Sequence, residues 1–247
     1  MLSRKDIPIY GVCVGDVLDG KFGITAFRTI VAEQAGSPFQ HVLAAAHWIE
    51  QSATQKENGL PSLLGLVQGN HDYWSHKATG IGGLDTALAL CREKINYSPT
   101  ELRLNIKHGS VERQWVLRHK VRGKSMYNPA HGVQRWLKEN AIEDSDVVAA
   151  GHIHEAGVVG PLHLYGKPRY GIQVAAYVDG AADDYAVTQG YPVGQHAYPD
   201  CLCICYPDRR QMRTFLDVEF GVWVLEQHWR ELRLSRKRTK SARKVKR

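Results

Sequence analysis

Residues 66–74 read LVQGNHDYW. An apolar run stops at Gly69, and Asn70, His71 and Asp72 follow in succession. The segment leading into it, residues 60–67 (LPSLLGLV), has the length and apolarity of a buried strand. No helix is expected to begin among the three polar residues. They therefore stand at the carboxyl end of a strand, where an α/β sheet delivers the side chains that meet a ligand.

The same arrangement recurs along the chain. Residues 7–14 (IPIYGVCV) form an apolar, β-branched run that ends at Gly15-Asp16. Residues 114–117 pair with 101–106 around the turn HGSVER and deliver Arg118 and His119. Residues 146–150 (DVVAA) end in Gly151-His152-Ile153-His154. Helical spacing of apolar residues predicts helices over 38–51 and 84–94, and Asn128-Pro129 is placed to start a third, PAHGVQRWLKEN. His41 and His47 on the first of these read as surface or packing residues. Beyond residue 157 come short strands, GPLHLYGKPRYGIQVAAYV and DCLCICYP, then a strand or helix near TFLDVEFGVWVLEQHW. Strands early and late with helices between them predict two packed sheets flanked by helices.

Carboxylate, amide oxygen and imidazole together form the ligand set of a divalent first-row metal such as Mn²⁺, Fe²⁺, Zn²⁺ or Co²⁺. Glycine before each polar residue permits a tight turn or a close approach of backbone to an ion. Each fragment alone is weak: a strand-end histidine is more often a hydrogen-bonded structural residue. Their order and spacing carry more. The segments VCVGDVLDG, LVQGNHDYW, VLRHKVRG and VVAAGHIHEAG, spanning about residues 8–157, resemble the successive motifs of the calcineurin-like metallophosphoesterase superfamily. Within it, GNHDYWSHKATG and RHKVRGKSMYNPAHG look like phage and prophage members related to DNA-processing phosphoesterases.

That resemblance implies a four-layer α-β-β-α sandwich of two mixed sheets flanked by helices. It implies that Asp16 bridges two metals, that Asn70, His119 and His152 complete the second site, and that His154 turns to the first. His71 would stabilise the transition state or protonate the leaving oxygen, with Asp72 orienting its imidazole. Two cations about 3.5–4 Å apart would clamp a phosphate and activate a water for in-line displacement. The implied activity is phosphoester hydrolysis, with Mn²⁺ the expected metal and DNA or RNA the expected substrate. His131, in its own His-Gly pair, competes with His119; His119 is preferred because it directly ends an apolar strand. Arg118, Arg122, Lys124 and Ser125 are candidate phosphate contacts, with ordinary loop solvation an equal reading.

One element of the superfamily pattern is missing. Its members begin with a D-x-H motif on the first strand, and no D-x-H occurs here. Three explanations stay open. The chain starts at an internal methionine with its first strand encoded upstream, which the intactness of the other motifs favours; or it works with one metal held by Asp16, Asn70, His119 and His152; or it has lost catalysis and serves as a nucleic-acid-binding protein or a partner-dependent subunit.

Bulk properties bound these readings. At 247 residues, 43% hydrophobic and 23% charged, the chain suits one large domain or two small ones, and the resemblance implies a single metallophosphoesterase domain over 1–229. No apolar stretch approaches the roughly 20 residues of a membrane helix, and no secretory signal is evident, so the expected setting is cytoplasmic and away from membranes. The odd total of five cysteines argues for reduced thiols; Cys201, Cys203 and Cys205 alternate, as on one buried strand face. The net charge of +7 is local: residues 230–247 hold 10 of the 32 Lys/Arg and one of the 25 Asp/Glu, leaving 22 basic against 24 acidic. This block is expected to be a disordered tail able to contact phosphate backbones.

Overall fold

The computed structural model describes residues 9–18, 37–54, 62–123, 125, 127–139, 145–153, 155–175 and 199–245. Within them the chain is α/β, with two main sheets, a strand pair and five helices. The first sheet runs β1 (Tyr10–Cys13), β2 (Ser62–Val67), β3 (Asn96–Ser98) in that order. Both of its pairings are parallel, so this sheet is not mixed as expected. The reason lies in the connections: parallel neighbours need crossovers, supplied by helix α1 (Pro38–Thr54) before β2 and by α2 (Asn70–Thr79) and α3 (Gly83–Leu90) after it.

The second sheet is mixed. It holds β4 (Glu101–His108), β5 (Val111–Arg118), β6 (Val147–Ala150), β8 (Lys167–Gln173) and β7 (Gly157–Leu164) in that spatial order. Strands β5, β6 and β8 run parallel, with β4 and β7 antiparallel at the two edges. Helix α4 (His131–Glu139) crosses between β5 and β6. A separate pair, β9 (Leu202–Cys205) and β10 (Met212–Phe215), precedes the long helix α5 (Val218–Val245).

The period-two alternation of the strands sorts their side chains into three apolar layers. Leu66 packs with Ala45, Ile49 and Leu84 of α1 and α3, while its neighbour Val67 faces the other way. Val67 joins Trp115, Leu117, Val147, Ala149, Tyr170 and Ile172, so this middle layer lies between the sheets. Val116, Val148 and Ala150 point to the far side, where Val133, Trp136 and Leu137 of α4 cover them. The order of layers is helix, sheet, sheet, helix. Cys201, Cys203 and Cys205 pack against the middle layer and all five cysteines are free thiols, but the three are only partly buried and Cys201 precedes β9, so they do not form the buried strand face expected.

Three boundaries differ from expectation. Residues 70–79 form a helix where none was expected: Gly69 serves as its N-cap, and the Asp72 carboxylate accepts the Gly69 amide at 2.8 Å, a device that fixes a helical first turn. The helix expected over 84–94 stops at Leu90, because the Glu50 carboxylate of α1 accepts the amides of Arg92 and Glu93 and holds that stretch to α1 instead. The basic tail, expected to be disordered, continues α5 to Val245. Asp217 caps that helix by accepting the Phe220 amide at 2.9 Å. Beyond Gly221 the segment contains no glycine or proline, and arginine and lysine are good helix formers that suit a helix's carboxyl end. Among the described residues no helix is long and apolar enough to cross a membrane.

Arg113 on β5 ties the β9–β10 pair to the second sheet. Its guanidinium, 2% exposed, donates to the carbonyls of Tyr206, Arg209 and Arg210 in the connecting loop. Methionine at this position keeps most of the volume but removes every donor. We expect Arg113→Met to lower stability by about 2–3 kcal/mol in urea denaturation, with an unchanged midpoint showing that the pair docks without it.

Candidate metal centre

Strands β1 and β2 are parallel neighbours, so their carboxyl ends lie side by side, and the turns after them touch. Gly15 has φ +100°, and a β-carbon there would stand 2.7 Å from the Gly69 amide nitrogen and 2.7 Å from His119 Nδ1. A β-carbon on Gly69 would overlap the Asp16 carboxylate and amide. Only two glycines allow this crossing.

The crossing positions Asp16. Its Oδ1 accepts the amide of His71, in the first turn of α2, at 2.9 Å, where the helix N-terminus favours negative charge. Its Oδ2 lies 3.1 Å from His119 Nε2. His119, 8% exposed just past β5, places Nδ1 2.9 Å from the Val14 carbonyl. A carbonyl can only accept, so Nδ1 carries the proton, and Nε2 of the neutral ring presents a lone pair to the site.

Asn70 and His152 complete the cluster. Asn70 Oδ1 lies 2.7 Å from His119 Nε2 and 2.7 Å from His152 Nδ1, and the two ring nitrogens are 3.2 Å apart. The imidazoles meet edge to face, with centroids 5.1 Å apart. His152 is held by the turn after β6: the Gly151 amide donates to the His119 carbonyl, and buried Gln173 of β8 donates to the Gly151 carbonyl.

Backbone conformation singles out two of these residues. Among the described non-glycine residues, positive φ occurs at Asp16 (54°), His152 (74°) and Tyr165 (51°). Tyr165 is accounted for by its two-residue turn with Gly166 between β7 and β8. The other two are both candidate ligands, and unfavourable backbone held at such a cluster is a mark of a functional site.

The electrostatics are closely linked. Burial opposes the charged Asp16 carboxylate, yet the hydrogen bond and charge of His119, with His71 adding to them, hold its pKa below the ordinary value. Burial likewise opposes the His119 imidazolium, and the Asp16 contact outweighs it, raising that pKa. Facing two oxygens, the Nε2 lone pair is satisfied by a second proton or by a cation. The donor set of one carboxylate oxygen, one amide oxygen and two imidazole nitrogens suits a divalent first-row ion.

Asn70 Oδ1 stands 2.7 Å from each imidazole nitrogen, while the contacts of His119 Nε2 with Asp16 Oδ2 and His152 Nδ1, at 3.1 and 3.2 Å, match the separations of about 3.0–3.4 Å that ligands about 2.1 Å from a shared ion keep. Among the described residues no group of three or more His, Cys, Asp or Glu is arranged to hold a metal ion; the cluster here counts an amide, Asn70, as the common neighbour of both histidines.

His71 and Asp72 have different surroundings. The His71 ring stacks on Trp74 at 4.0 Å between centroids, an interaction the sequence reading did not anticipate. Asp72 is fully buried; its Oδ1 accepts the Leu18 amide and its Oδ2 the Gly69 amide, each at 2.8 Å. Burial pushes its carboxyl pKa up, against the pull of those amides. Asp72 thereby ties the loop after Asp16 to the start of α2. His131 stands apart as the exposed first residue of α4. Arg118 is engaged by Glu101 and lies over the Trp136 ring. His154 and Lys124 lie outside the described residues. Gln173 escaped the sequence reading because a lone glutamine inside a strand gives no signal.

No protein-family model matches the chain, and no curated protein matches it significantly.

The crossing is the cheapest point at which to break the centre. Gly69→Ala forces Asp16 away from its neighbours, and we expect Mn²⁺ affinity, read by calorimetric titration, to fall about 10–100-fold. An unchanged affinity would remove Asp16 from the ligand set.

Proposed function

We propose that the protein is a divalent-metal-dependent phosphoester hydrolase that acts on phosphodiesters. The observation that carries this reading is the meeting of Asp16, Asn70, His119 and His152, from four separate strand ends, around His119 Nε2, which lies within 3.2 Å of an atom of each of the other three. The resemblance of their motifs, in the same order, to those of the calcineurin-like metallophosphoesterases supports it, as does the helix–sheet–sheet–helix layering. Asp16 Oδ2, Asn70 Oδ1, His119 Nε2 and His152 Nδ1 would hold the metal, with Mn²⁺ the expected ion. When bound, such an ion polarises a phosphoryl oxygen and makes hydroxide accessible near neutral pH.

The chain's own residues supply the rest. Val14 fixes the His119 tautomer, so that Nε2 faces inward. The α2 N-terminus and the His71 amide steady Asp16 as a carboxylate. Trp74 restricts the His71 ring by stacking, so the imidazole is held ready to give a proton to the departing oxygen. Asp72 holds the loop that carries these groups.

Two measurements on one set of variants test this. Purified protein should hydrolyse bis(p-nitrophenyl) phosphate with Mn²⁺ and stop with EDTA. Asn70→Ala and His152→Ala should lose metal by elemental analysis. His71→Ala should keep its metal while kcat falls about 10²–10⁴-fold. A protein that binds no metal overturns the proposal, and hydrolysis of the mono-ester alone overturns its phosphodiester part.

A further inference from the structure

The most unusual surface lies away from the metal centre, on α5. Its first turns expose Phe220 (52%) and Trp223 (55%), whose rings stack with centroids 5.8 Å apart and an interplanar angle of 17°. Phe215 of β10 meets Phe220 edge-on at 5.9 Å. Beside them opens a cleft of about 450 Å³ walled by Tyr170, Met212, Arg213, Phe215, Phe220 and Val224. It is shallow and open to solvent, and none of these lining residues is a candidate metal ligand.

The same helix then becomes cationic in an ordered way. Positions 230, 233, 237, 240 and 244 are all Lys or Arg. They recur at alternating intervals of three and four residues, which places them on one face of an α-helix. Trp223 is in line with them, since 223, 230, 237 and 244 are seven apart, with half-buried Glu226 between the aromatic and the basic parts. At 1.5 Å per residue the basic stripe is about 21 Å long. Arg238 falls on another side.

We propose that α5 is a binding track for single-stranded nucleic acid: unpaired bases stack at its aromatic end beside the cleft, and the sugar–phosphate backbone follows the basic stripe. Charge complementarity selects a polyanion, because the rest of the chain is nearly balanced at 22 basic against 24 acidic residues. Exposed stacked rings select unpaired bases, whose faces are free, over a duplex. A membrane surface fits less well. It would need a continuous apolar face opposite the charges, and the remaining positions of the basic half mix Leu232, Leu234, Ala242 and Val245 with Glu231, Ser235, Arg236, Arg238, Thr239, Ser241 and Arg243. The track supplies a substrate class to the hydrolase proposed above and rests on that reading for the reaction, not for the binding.

The test is fluorescence anisotropy with a labelled oligothymidylate in EDTA, where hydrolysis is silent. Five phosphate contacts predict a slope of log K against log salt of about −3.5. Trp223→Ala should weaken binding about tenfold with the slope unchanged, and Trp223→Phe should restore most of it. Replacing the five stripe residues together by glutamine should flatten the slope, while Arg238→Gln should leave it intact. Equal affinity for a duplex of the same length, with no effect of Trp223→Ala, overturns the single-strand assignment. A slope reduced as much by Arg238→Gln as by Lys237→Gln overturns the stripe. Binding to phosphatidylserine vesicles but not to oligonucleotide overturns the track in favour of a membrane. Binding that persists in a protein without hydrolysis supports the track and overturns the reaction; hydrolysis without binding in EDTA overturns the track alone.

Discussion

The site depends on the backbone crossing between Gly15 and Gly69. Side chains at either position would occupy space already filled by an amide, a carboxylate or the His119 ring. With both β-carbons absent, the turns after two neighbouring parallel strands close on each other, and Asp16 meets the first turn of α2. The second sheet then adds its share. Strands β5, β6 and β8 are also parallel, so His119 and His152 emerge at one end of that sheet. The middle apolar layer joins the two sheets face to face, and His119 bridges them directly by reaching the Val14 carbonyl.

This convergence has a cost that the surrounding structure offsets. Asp16 and His152 adopt left-handed backbone, and strain of that kind is of the order of 1–3 kcal/mol per residue. Asp72 is buried as a carboxyl group. Each expense has a local counterpart: two amides accepted by Asp72, one amide on Asp16, and Gln173 holding the turn before His152. Apolar layers on both sides of both sheets provide the rigid frame. A neutral His119 with its lone pair aimed at two oxygens is not at rest. It favours a proton or a cation, and the raised His119 pKa and lowered Asp16 pKa are two expressions of that demand.

Strand ends were legible in the sequence because apolar runs stopped abruptly at glycine followed by polar residues. Asp16, Asn70 and His152 follow such glycines, His119 follows Arg118 at the end of its strand, and the structure brings the four together. Less legible was what depends on backbone amides. Asp72 reads as a partner for its neighbour His71, yet its carboxylate serves two main-chain groups, one of them 54 residues away in sequence. Helix α2 was hidden for the same reason: its first turn consists of the polar site residues, and hydrophobic periodicity cannot announce a helix that begins without apolar residues. In the basic segment like charges suggest repulsion and coil, whereas helical spacing spreads them along an axis and leaves propensity to favour the helix of α5.

The proposed chemistry and the proposed affinity draw on different parts of the fold. The candidate centre needs close, buried, strained contacts and tolerates little change. A polyanion-binding surface needs none of these, since phosphate attraction is long-ranged and insensitive to the detail of each contact. In the proposed reading the cations belong to α5 and not to the sheets, and the rest of the chain stays near electrical balance, with 22 basic against 24 acidic residues. A charged stripe built into the sheets would perturb the same Asp16–His119 pair that the centre relies on. In that proposed division a substrate is held by α5 while the geometry at Asp16, Asn70, His119 and His152 stays fixed.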